Sequence, residues 1–137
     1  MAIGQAAVTF KGTYTVSGYT PTGHKIKHEV WISGLKGQLP DEQTLKFSTF
    51  TPFVVGPGSV STTILINSSE LIDLAAGAKN YLHLEYHVAQ VDAQGAAVVG
   101  GAQKSAVVSF IIQVTDYGDI IPSITSPANG QVFNITI

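Results

Sequence analysis

No cysteine occurs in the 137 residues. Disulfide staples, zinc thiolate sites and cysteine nucleophiles are therefore excluded. Charge is scarce as well. Asp, Glu, Lys and Arg make up 12 % of the chain, about half of the roughly 25 % of an ordinary soluble domain. The formal net charge is −2, so there is no basic field to hold nucleic acid and no acidic field to collect cations. No run approaches the ~18 consecutive apolar residues of a membrane helix. The first ten residues, Met1 to Phe10, carry neither a basic stretch nor a long apolar one, so no secretory signal is expected there. No helical period extends beyond one or two turns.

What is present is a period of two. Val8, Phe10, Gly12, Tyr14 and Val16 alternate with polar neighbours. That pattern predicts one half-buried strand, or two short strands sharing a bend at Gly12. Lys25 to Ile32 follows, with Ile26, Val30 and Ile32 on one face and Lys25, Lys27, Glu29 and Trp31 on the other. Further strands are expected at Leu45–Phe50, Val60–Asn67, Tyr81–Val91 and Ser105–Val114. In the last, Ala106, Val108, Phe110, Ile112 and Val114 form one apolar face. Ser68–Leu74 either makes one helical turn capped by Ser68 or Ser69 or stays a loop. Turn residues separate these runs, as in Asp92-Ala-Gln-Gly95. An all-β protein is expected, an antiparallel sandwich of about seven strands over residues 1–117, followed by a linker and strand-forming tail over 118–137.

In that tail Phe133, Ile135 and Ile137 alternate with Val132, Asn134 and Thr136. A lone apolar strand is marginal in water and needs a sheet to join. The partner sheet is either this domain's own or a neighbour's. Val132, Phe133, Ile135 and Ile137 are accordingly the expected protein interface.

Leu74-Ala-Ala-Gly-Ala-Lys-Asn-Tyr-Leu-His-Leu-Glu-Tyr-His-Val-Ala-Gln-Val-Asp-Ala-Gln-Gly95 resembles the E–F corner, F strand and F–G turn of bacterial immunoglobulin-like or fibronectin-III-like modules. Pro122-Ser-Ile-Thr-Ser-Pro-Ala-Asn-Gly130 is similar to the opening strand of a following module in a tandem array. The chain departs from the tandem pattern by ending before a second module is complete. The resemblance implies an Ig-like sandwich with the strand around Val30 beside the strand around Leu84. Such modules occur in adhesins, beside glycosidases and on phage capsids and tails, and the fold alone carries no function.

Chemistry-bearing patterns are few. His83-Leu-Glu-Tyr-His87 places two histidines and Glu85 on one strand face, each roughly 6.5–7 Å from the next. With His28 or a loop ligand they are the candidate metal set, against the plainer reading of a polar outer face. Trp31 either faces outward as an interface anchor or fills the core after a one-residue slip of register. No Gly-x-Ser-x-Gly elbow occurs, and most acids sit in turns. The expected function is therefore non-enzymatic, with no cofactor. The leading expectation is a structural assembly protein of a virion, such as a phage capsid decoration (cement) protein made in the host cytoplasm. Its expected partners are other protein subunits, a capsid or tail protein and copies of itself, with no nucleic acid and no membrane. The alternatives are a carbohydrate or cell-surface binding module and an extracellular filament subunit that donates a strand.

Overall fold

The computed structural model describes residues 4–115 and 130–136. Six strands follow one another: β1 (Gln5–Val16), β2 (Lys25–Ser33), β3 (Thr44–Pro52), β4 (Gly56–Asn67), β5 (Lys79–Val91) and β6 (Gln103–Gln113). A single 3-10 turn, Ser68–Glu70, follows β4. The protein is all-β, and every ladder is antiparallel. One sheet has two strands, β1-β4, and the other has four, β3-β2-β5-β6. β2 lies beside β5, with Val30 opposite Tyr86. This is a sandwich consistent with an Ig-like module, built from six strands among the described residues where about seven were expected. The expected boundary at residues 117–118 lies outside the described residues.

The period of two dictates which side chains meet between the sheets. On β2 the inward row is Ile26, His28, Val30 and Ile32, all buried. On β5 it is Asn80, Leu82, Leu84 and Tyr86. From the smaller sheet Phe10, Val60, Ile64 and Ile66 point back at them.

Two glycines set how closely the elements approach. A Cβ on Gly12 would stand 2.7 Å from the Tyr86 ring and 2.8 Å from the Phe10 ring. Gly12 is thus a gap that the Tyr86 ring fills, and β1 runs through it unbroken. Gly58 is paired with Tyr14, whose ring lies over it so closely that a Cβ would come within 2.3 Å. β4 begins earlier than expected, at Gly56, and carries Pro57 within the strand. A proline is tolerated there because β4, among the described residues, is an edge strand with a ladder partner on one side only.

The sheets differ in width. At 4.7–4.9 Å per strand, two strands span roughly 10 Å and four span roughly 19 Å. β1 lies over the centre of the larger sheet: the Phe10 and Tyr86 rings meet edge-on at 5.1 Å, and Tyr14 packs on His28 at 5.0 Å. β4 lies on the β3 side, where Lys46 reaches the Leu65 carbonyl at 3.4 Å and Glu70 at 2.7 Å. Among the described residues β6 is left at the far edge, and no strand lies above the Ala106–Val108 part of its inner face.

Candidate interaction surfaces

Between the sheets a polar chain crosses the core. His28 is fully buried. Its Nδ1 lies 2.7 Å from the Tyr86 hydroxyl and its Nε2 2.7 Å from the Thr51 hydroxyl. Tyr14 donates its hydroxyl proton to Thr51 Oγ1 at 3.0 Å. Four strands, β1, β3, β2 and β5, are joined in this way. A neutral imidazole donates from one nitrogen and accepts at the other, so both ring nitrogens have partners without a buried charge. Burial holds the His28 pKa below its usual value. Burial, and next the neighbouring Tyr14, push the Tyr86 phenol up to about 12. His28 therefore does not join the outward histidines. Its place in the metal set is corrected by its strand parity, which it shares with Val30 and Ile32.

The outer face of the four-stranded sheet carries Trp31. The tryptophan points outward and is half-buried, opposite Glu85 on β5 and Leu45 on β3. Its ring lies 6.5 Å from that of His87. A bulge falls between Val30 and Trp31 in the β2–β3 ladder. The β2–β5 register is unbroken, and it settles Trp31 on the outer side. Glu85 is engaged by Gln43 and lies 2.9 Å from His87 Nε2. His83 Nδ1 is 2.9 Å from Ser109 Oγ. His83, Glu85 and His87 thus share one face, tied into side-chain pairs. Among the described residues no group of three His, Cys, Asp or Glu side chains is placed to hold a metal ion. Phe50 and Tyr81 stand exposed on the same face.

The tail presents a second apolar surface. Val132 is 79 %, Phe133 69 % and Ile135 89 % exposed. Residues 131–136 lie in no strand, unlike the strand expected of their alternation. A strand is defined by its ladder, and among the described residues no ladder includes Val132–Thr136. Ile137 lies outside the described residues.

A third surface was not singled out from the sequence. On the inner face of β6, Ala106 and Val108 are exposed, although their ladder partners Tyr86 and Leu84 are buried. Further along β6, Phe110 and Ile112 are half-buried against the core. A cavity of about 260 Å³ opens at the other end, between Tyr14 and Val16 of β1, Val88 of β5 and Lys104 of β6. Together these form a trough bounded on one side by the β1 edge that has no ladder partner among the described residues. Alternation in β6 was the available signal, but it reads the same in a covered strand and an uncovered one.

Comparison with protein-family models, with curated proteins and with solved structures found no match.

Proposed function

We propose that the protein is a non-enzymatic structural assembly protein, and that it serves as an accessory protein of a virion, a decoration or cement protein on a phage capsid. The observation that carries this reading is the exposed apolar tail, Val132, Phe133 and Ile135, attached to a domain whose core is built without it. The low charge, 12 % of residues, supports it too, because a surface with little repulsion tolerates close neighbours. The mechanism is physical. Each apolar side chain that the tail buries yields about 1.5–3 kcal/mol. Ordering the tail costs about 1–2 kcal/mol per residue. The two nearly offset each other, so one tail is a weak tether and many tails on a symmetric shell hold by avidity. A chain truncated after Ser123 is expected to fold and to fail to enter the particle. Normal incorporation of the truncated chain refutes the reading.

The outward Trp31, with Phe50 and Tyr81 on the same sheet face, favours a second reading as a carbohydrate-binding module. Glycan binding that disappears in Trp31→Ala would establish it.

A further inference from the structure

The chain carries two unsatisfied half-sites that fit each other. One is an acceptor. β1 is a twelve-residue strand, and among the described residues it pairs on one side only, with β4. Beyond its other edge lies the inner face of β6, where Ala106 and Val108 are exposed although their partners Tyr86 and Leu84 are buried. The width of one more strand separates the two-stranded sheet from cover over β6. The other half-site is a donor, the segment Val132–Thr136. Its own domain does not bury it, since Val132, Phe133 and Ile135 are all exposed.

We propose that the tail of one copy docks as an added strand on the free edge of β1 in a second copy, with Phe133 and Ile135 seated over Ala106 and Val108 of β6. The proposal rests on the assembly reading above and names its partner as this same chain. The side-chain pattern matches on both faces. β1 alternates inward Phe10 and Tyr14 with outward Thr9, Lys11, Thr13 and Thr15. The tail alternates Phe133 and Ile135 with Asn134 and Thr136. A strand laid beside β1 with Phe133 and Ile135 facing inward closes the apolar row inside and puts Asn134 and Thr136, with Val132 at its start, on the outer face. The unpaired backbone groups of β1 gain partners, which removes an open edge. The contact is heterologous: each copy donates once and accepts once, and repetition generates a ring or a filament.

Complementation of two variants tests this by sedimentation velocity. Phe133→Asp/Ile135→Asp destroys the donor and leaves the acceptor. Val108→Arg blocks the acceptor and leaves the donor, with Ala106→Arg as a second blocking variant. All four positions are exposed, so folding is retained, and circular dichroism verifies it. The native chain is expected to sediment faster as concentration rises, and each variant alone is expected to stay monomeric. An equimolar mixture of donor and acceptor variants is expected to form a capped dimer, because one intact junction remains. A mixture that stays monomeric overturns the proposal, as does a native chain that is monomeric at every concentration. Either result leaves the assembly reading standing if truncation after Ser123 still abolishes entry into a particle, because the tail then docks on a different protein.

Discussion

Val108 sits directly opposite Leu84 across the β5–β6 ladder, yet Leu84 is 5 % exposed and Val108 56 %. The two residues share one sheet face and differ only in what lies above them. Over Leu84 the β1–β4 sheet closes the core. Over Val108 that sheet has already ended. Among the described residues the sandwich is therefore closed over β2 and most of β5 and open over the Ala106–Val108 part of β6.

That contrast has a direct consequence for stability. Leu84→Ala removes a buried side chain and is expected to cost about 2–5 kcal/mol. Val108→Ala in the monomer is expected to stay within about 0.5 kcal/mol of the native chain, as for an ordinary surface change. Urea unfolding of the two variants at low concentration measures both.

Gly12→Ala is expected to destabilise the fold by about 1–3 kcal/mol through overpacking. The new methyl would fall 2.7 Å from the Tyr86 ring, which is itself held by the His28 bond and cannot swing aside freely. Gly12→Ala/Tyr86→Leu should recover part of the loss. Thermal unfolding of the single and double variants checks this.

The sheet faces were largely legible in the chain. Alternation separated Lys25, Lys27, Glu29 and Trp31 from Ile26, Val30 and Ile32, as observed. It left open which set faced inward, because a one-residue slip exchanges them. The core role of His28 was hidden for a different reason. A histidine within an alternating strand reads as polar, and its partners, Thr51 and Tyr86, lie 23 and 58 residues away. The trough over β6 was hidden too. Ala106, Val108 and Phe110 show the same period whether or not another strand covers them. The number of strands in the opposing sheet decides that, and no local pattern encodes it.

His28 makes stability depend on pH with a definite sign. In the unfolded chain its imidazole takes up a proton near the ordinary value of about 6.5. In the folded protein burial lowers that value. Between the two values the unfolded state binds more protons, so stability falls as pH drops below about 6.5 and is fully present above it. The melting temperature is expected to decline over that window. His28→Phe is expected to be less stable at neutral pH, since it strands the Tyr86 hydroxyl and takes one of two partners from Thr51, and to show a flatter pH dependence. Calorimetric scans across the window decide the point.

Lys46 and Glu70 tie β3 to the turn after β4. The Lys46 ammonium contacts the two carboxylate oxygens at 2.9 and 2.7 Å, and the Asn67 backbone N–H donates to Glu70 at 3.0 Å. Burial acts to raise the Glu70 pKa, and Lys46 together with the Asn67 N–H outweighs it, so the net shift is downward. The pair's stabilisation is therefore present above the ordinary carboxyl range and lost as pH falls through the lowered value. Glu70→Gln is expected to cost about 1 kcal/mol at neutral pH and to weaken the acid-side loss. Urea midpoints of native and variant protein at neutral and acid pH test it.

The central claim is that β1 has an open edge which a second copy's tail completes. Amide hydrogen exchange of the native chain, followed from dilute to concentrated solution, tests it most directly. The alternate β1 amides pointing away from β4, together with those of residues 132–136, are expected to become slower to exchange as concentration rises. Truncation after Ser123 is expected to abolish that protection in β1. Unchanged exchange along β1 at the highest concentration, or protection that appears instead around Trp31 on the outer sheet face, would contradict it.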